Sequence, residues 1–175
     1  MKKICPLLFT LLMCTVATKA ATPDSISVVN ADGVKIFYNF INDRTELEVT
    51  TMPSIEKYTG DIVIPETVTY GGKTYKVTRI GDKAFQSDDP TSVTIPNSVT
   101  SIGEEAFYNC WKMTSITIGN SVETIAENAF YGCRVLTSVT IPQSMTSIGK
   151  SAFAGCTALT SLVIEDAPVS LGFKR

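Results

Sequence analysis

Three consecutive segments align without a gap at a period of 23 residues: "SVTIPNSVTSIGEEAFYNCWKMT" (92–114), "SITIGNSVETIAENAFYGCRVLT" (115–137) and "SVTIPQSMTSIGKSAFAGCTALT" (138–160). Val93, Ile116 and Val139 share one column; Ile95, Ile118 and Ile141 share another. The same holds for Ile102, Ile125 and Ile148; for Phe107, Phe130 and Phe153; and for Met113, Leu136 and Leu159. A fourth start, "SLVIEDAP" from Ser161, repeats only the opening, and an earlier copy (61–91) is 31 residues long. The eight extra residues of that copy fit a hairpin around Gly71-Gly72, a pair that accepts the positive φ of a type I′ turn. A single unit this short cannot bury its own apolar face, whereas stacked units bury one another's. The repeat therefore restricts the chain to a solenoid.

Spacing within the unit assigns a role to each column. Val93 and Ile95 alternate with Ser92 and Thr94, the two-residue period of a short strand with one buried face. Pro96 or Pro142 ends that ladder, because proline brings no N–H to it. The stretch "SIGEEAFYNC" combines Gly103 with apolar Ile102, Ala106, Phe107 and Cys110. It predicts a turn followed by a short helical segment on the far side of the coil.

This pattern, a strand with "IP", then "SIG", "AF", "GC" and a Leu before the next strand, resembles the BspA-like leucine-rich repeats of bacterial and protozoan surface proteins. The likeness covers Asp61 to Glu165, with three regular copies and one interrupted copy. It implies an α+β, mostly β repeat fold: a right-handed leucine-rich-repeat solenoid of about 23-residue rungs. Gly119 replaces the proline of the second regular copy, Ala126 replaces its glycine, and Asp88 stands where the first copy would carry cysteine. Proteins of this class are associated with adhesion to host matrix proteins and to other microbes. By analogy, the chain is expected to be a secreted or surface-attached binding protein. The alternative is a structural spacer, or a module of a longer surface protein.

The ends have different compositions. Residues 1–20, "MKKICPLLFTLLMCTVATKA", join a basic start to an apolar core and end on small residues, the form of a signal peptide cleaved after Ala20. Residues 21–60 do not repeat; "VKIFYNF" and "ELEVT", joined through Asn42-Asp43, read as a β-hairpin that caps the first rung. The solenoid is expected over 61–165 and a C-terminal tail over 166–175. Setting the leader aside removes Lys2, Lys3 and Lys19 and takes the net charge from −2 to −5, with no histidine in the chain. No basic patch offers itself to nucleic acid, and beyond the leader no apolar run approaches the ~18 residues of a membrane span. Neither nucleic-acid binding nor membrane insertion is expected.

Cys110, Cys133 and Cys156 recur in one frame. Stacked about 4.8 Å apart they form a file, and a file cannot converge on one metal ion. A catalytic thiol needs a base, for which histidine is absent. A disulfide between neighbours is compatible with that spacing, but three thiols cannot all pair. Buried packing groups are the expectation. The carboxylate pairs Glu104-Glu105 and Asp88-Asp89 lie side by side, not across a cleft as glycoside hydrolysis requires. No active site, cofactor or metal is expected.

What remains is surface. Ser92 and Thr94, Ser115 and Thr117, and Ser138 and Thr140 should face outward from the strands as a file of hydroxyls, continued by Ser161 and Val163. A second file is Tyr108, Tyr131 and Ala154, bordered by Trp111, Lys112 and Arg134. Tyrosine, tryptophan and arginine are enriched at binding hot spots, although the tyrosines equally serve to cover Phe107 and Phe130. The expected partner is a protein, from host extracellular matrix or another microbial surface. Self-association through the C-terminal strand edge is a further expectation.

Overall fold

The structure, a computed structural model, describes residues 24–52, 57–164 and 170–171. The leader 1–20 and most of the tail 166–175 lie outside the described residues. The chain begins with β1 (Ser25–Val29), β2 (Lys35–Ile41) and β3 (Glu46–Thr50), which pair antiparallel in sequence order. The β2–β3 hairpin turns through Asn42, Asp43 and Arg44, all at positive φ. Sequence reasoning found this hairpin and missed β1, whose "SISVV" is too short for its period to stand out. Next come β4 (Thr59–Val63), β5 (Thr67–Tyr70) and β6 (Lys73–Ile80). The last two form the antiparallel hairpin expected around Gly71 and Gly72, whose φ values are 59° and 77°.

From β6 onward the pairing is parallel. One ladder aligns Arg79 of β6 with Ser101 of β8 (Ser101–Ile102), and Ser101 with Thr124 of β10 (Thr124–Ile125). It continues to Ser147 of β12 (Ser147–Ile148) and Ser170 of β14 (Ser170–Leu171). β3 joins the same sheet on the side of β6, also parallel. A second ladder carries the "SVTI" strands. There β4 pairs with β7 (Asp89–Thr94) and β7 with β9 (Ser115–Thr117), while β11 (Ser138–Ile141) pairs with β13 (Ser161–Ile164). Equivalent side chains consequently lie over one another. The apolar members of β7, β9 and β11 are buried between the ladders, while Ser115, Thr117, Ser138 and Thr140 are exposed.

The segment expected to be a short helix is instead a run of turns, and no helix is present among the described residues. Two residues of each unit adopt left-handed backbone. The first column is Lys83, Glu105, Asn128 and Ser151, with φ between 53° and 59°. The second is Ser87, Asn109, Gly132 and Gly155, with φ between 58° and 74°. A left-handed residue every fourth position cannot sit in a right-handed helix. The N–H groups divide their work accordingly. Those of Ala106, Tyr108 and Cys110 bond three residues back, to Gly103, Glu105 and Phe107. Those of Glu105, Phe107 and Asn109 bond to Glu127, Ala129 and Tyr131 of the next unit. The turns thereby act as a third line of contact between units.

The core is a set of stacked columns. Phe85, Phe107, Phe130 and Phe153 lie face to face, with ring centroids 4.9, 5.0 and 5.1 Å apart and planes within 7° of parallel. Tyr58, fully buried, sits on Phe85 at 4.6 Å and extends the file by one ring before the first repeat. Its hydroxyl donates to the Thr50 carbonyl at 3.0 Å and accepts from the Phe37 N–H at 2.9 Å, which ties the stack to β2 and the end of β3. Gly149 has an ordinary φ, but a Cβ there would lie 2.5 Å from the backbone of Ala126 and Glu127. The glycine of "SIG" is thus set by the close approach of neighbouring units.

Candidate ligand-binding surface

The three repeated cysteines are free thiols, Cys110 and Cys133 buried and Cys156 half-buried. Each Sγ donates to a backbone carbonyl of the preceding unit at 3.1 Å: Cys110 to Phe85, Cys133 to Phe107 and Cys156 to Phe130. The adjacent Cys110 thiol, with burial added, holds the Cys133 thiol well above its ordinary range. Cys133 does the same to Cys156. Raised pKa values disfavour the thiolate that nucleophilic attack and metal binding require. Among the described residues, no group of three or more His, Cys, Asp or Glu side chains is arranged to hold a metal ion.

Asp88 takes the cysteine's place in the first unit and is also buried. Burial pushes its carboxyl up to about 6, opposed by a hydrogen bond from the Tyr58 backbone and by the charge of Lys57, and reinforced by Asp89. Lys57 Nζ donates to the Ser87 carbonyl, and the Asp89 N–H donates to the Tyr58 carbonyl at 3.0 Å. Residues 57–58 and 87–89 thus form a polar joint where the N-terminal strands meet the first repeat. A buried acid is accommodated there by the Tyr58 backbone and the charge of Lys57.

The strand hydroxyls are not equivalent. Ser92, half-buried, donates to Asp61 at 2.7 Å, as does Thr91, and these two bonds hold the Asp61 carboxyl below its usual range. Thr94 is half-buried, whereas Ser115, Thr117, Ser138 and Thr140 are exposed on the outer side of β9 and β11. Among the described residues these last five make no side-chain hydrogen bond of their own. The threonines just before the strands bind the units together: Thr114, Thr137 and Thr160 each donate to the carbonyl of the threonine one unit earlier.

The turn side presents aromatic rings. Tyr108 and Tyr131 stack at 5.1 Å with planes 8° apart, Tyr108 half-buried and Tyr131 exposed. Trp111 is 55% exposed, and Val135, which sequence reasoning passed over, is 39% exposed beside Arg134. Lys112 is exposed and pairs with Asp89 at 3.3 Å, so its charge is partly spoken for. Arg134 is exposed, and its backbone carbonyl accepts from Thr157 at 3.3 Å. The turns therefore combine stacked phenol faces, an exposed indole and a guanidinium. The strands combine small polar groups.

Comparison with known proteins places these features in context. A family model described as "BspA type Leucine rich repeat region" matches residues 78–172 in six copies. A leucine-rich repeat protein of Bacteroides capillosus has a similar structure, with a TM-score of 0.68 and 30% identity, over 82% of this chain and 99% of that one. A leucine-rich repeat protein of Bacteroides ovatus is 32% identical, with a TM-score of 0.59, over 74% of this chain and 41% of that one. A leucine rich cell surface protein of Faecalibacterium prausnitzii is 27% identical, with a TM-score of 0.56, over 86% of this chain and 45% of that one. No curated protein matches the sequence. The chain thus spans nearly all of the first relative and less than half of the other two.

Proposed function

Because the chain belongs to the BspA type leucine rich repeat family, we propose that it is a non-catalytic, adhesin-like protein-binding module, exported through a cleaved signal peptide and carried at the cell surface or released. The observation that carries this reading is the aromatic turn surface on which Trp111, Tyr131 and Arg134 are exposed and the half-buried Tyr108 stacks on Tyr131. Large rigid rings beside a guanidinium supply contact area at low entropic cost, which is what a protein-binding hot spot needs. The hydroxyls of Thr94, Ser115, Thr117, Ser138 and Thr140, with Ser92 beside them, form the second candidate face. The cell-surface description of the Faecalibacterium relative supports the location. We assign the ligand to the proteins of a host extracellular matrix or of another microbial surface.

In this reading the repeats form a right-handed solenoid with 23-residue rungs over 61–165, and β1 to β3 cap its first rung. At the other end, Leu162, Val163 and Ile164 of β13 are 41%, 50% and 39% exposed, an open edge through which a second copy can pair. That edge also favours the second reading, a spacer within a longer array, because two of the similar structures are more than twice as long as the part that aligns. A pull-down from an extracellular-matrix extract with immobilised protein separates the readings. Capture of a discrete protein that a Trp111→Ala/Tyr131→Ala variant no longer retains supports the binding module. No specific capture by the wild type supports the spacer.

A further inference from the structure

A cleft of about 300 Å³ opens at the junction of β3, β6 and the start of β8, away from both surfaces described above. Its origin is a break in pairing. Glu46 faces Lys76 and Leu47 faces Val77, but Glu48 faces Arg79, so Thr78 has no partner across the ladder. Such irregularities re-aim side chains and recur at binding sites. Here Thr78 Oγ1 turns to Glu46 and donates at 2.9 Å to Oε2, which also accepts from Asn42 Nδ2 at 2.5 Å. One carboxylate is thus pinned at the mouth of the cleft with Oε1 uncommitted among the described residues.

Across the ladder stands the Lys76 ammonium, for which no ion pair is formed among the described residues. Arg79 lines the cleft too, but its guanidinium is held by Glu48 at 2.8 Å and Asp82 at 2.6 Å. The hydroxyls of Thr100 and Ser101 complete the rim. Ser98 lines the same cleft and is 95% buried; its hydroxyl is buried with no hydrogen-bond partner among the described residues. The only apolar group that the cleft adds is Ile41.

We propose that this cleft binds a neutral sugar residue, held by a vicinal pair of hydroxyls between the Glu46 carboxylate and the Lys76 ammonium. A carboxylate accepts from one hydroxyl while an ammonium donates to its neighbour, so opposite charges on facing strand positions favour a ligand that both donates and accepts. Glu46 balances Lys76, and Glu48 and Asp82 outweigh Arg79, so the site offers no net positive charge to an acidic ligand. Its volume lies at the small end of ligand pockets, which suits one monosaccharide unit. The proposal is independent of the protein-binding reading: it uses a different face and different residues.

The test is a titration of the isotope-labelled protein with D-glucose, D-galactose, D-mannose, N-acetyl-D-glucosamine and D-glucuronate, each to about 50 mM, followed by amide chemical shifts. The expected result is saturable shifts at Lys76, Thr78, Thr100 and Ser101 with at least one neutral sugar, at millimolar Kd. Lys76→Met and Glu46→Gln should each weaken that binding by about tenfold or more, with the remaining spectrum unchanged. Saturable shifts confined to other parts of the molecule, no saturable shift with any neutral sugar, or tighter binding of glucuronate than of every neutral sugar would overturn it.

Discussion

The Sγ of Cys133 donates a 3.1 Å hydrogen bond to the backbone carbonyl of Phe107, one unit earlier, and the two neighbouring cysteines repeat that bond. The thiol fills an apolar column and gives a second hydrogen bond to a carbonyl that already accepts from the Cys110 N–H at 3.2 Å. Cys133→Ala should therefore cost roughly 1–2 kcal/mol, from lost contacts and the lost second hydrogen bond. Chemical denaturation gives the number, and reductant should leave the melting temperature of the wild type where it is. A large fall under reductant would mean that a disulfide, not packing, holds the column.

Phe130 lies between Phe107 and Phe153, at 5.0 and 5.1 Å, and is fully buried. Truncation there leaves a cavity between two rings that the backbone ladders hold apart. Phe130→Ala should cost about 3–5 kcal/mol, while Tyr131→Ala, next in sequence and 37% exposed, should cost under ~1 kcal/mol. Urea denaturation of the two variants, compared with the wild type, checks the assignment of inner and outer faces.

The columns that make these predictions were legible because each recurs at one spacing: phenylalanine, isoleucine and cysteine return every 23 residues. Other features left no such trace. The ladder through Ser101, Thr124 and Ser147 has two-residue strands, too short for any period to register. Glu105 and Lys83 adopt left-handed backbone although neither residue type favours it, so the apolar spacing around them read as a helix. Asn109 and Gly132 were the available signal, since both residue types accept that conformation. Tyr58 extends the phenylalanine file from outside the repeat, where alignment cannot find it. The cleft beside Glu46 depends on a slipped register between distant strands and is invisible in one dimension.

The Asp88 carboxyl, with a pKa near 6, is raised by burial above its unfolded value of 3.8. The fold thus favours its protonated form. Its contribution to stability is fully present below the unfolded value and is lost as pH rises through about 6. Asp88→Asn, which keeps an oxygen to accept from the Tyr58 N–H, should be more stable than the wild type at pH 7 by about 1–3 kcal/mol. The two should converge near pH 4. Urea melts of both proteins across that range measure the difference; one that does not change with pH would show that Asp88 is ionised and well solvated in the folded chain.

At the open end, Leu162 and Ile164 align with Val139 and Ile141, which are buried, yet both are about two-fifths exposed. Their columns continue and nothing among the described residues closes over them. Self-association that grows with concentration is expected, and Leu162→Lys with Ile164→Lys should abolish it without unfolding the preceding units. Light scattering over a hundredfold range of concentration reads the outcome. A wild type that stays monomeric throughout would remove this edge as an interface.

The most direct measurement compares two triple-alanine variants and the wild type for capture of matrix protein in one immobilised assay. One variant replaces Tyr108, Trp111 and Tyr131; the other replaces Ser115, Thr117 and Ser138. Exposed aromatic anchors carry most of the energy of a protein contact, so the first should lose binding by about a hundredfold or more, and the second by less than about tenfold. Equal capture by the wild type and the aromatic variant, with both variants folded by circular dichroism, would contradict the assignment of the turn surface as the binding face.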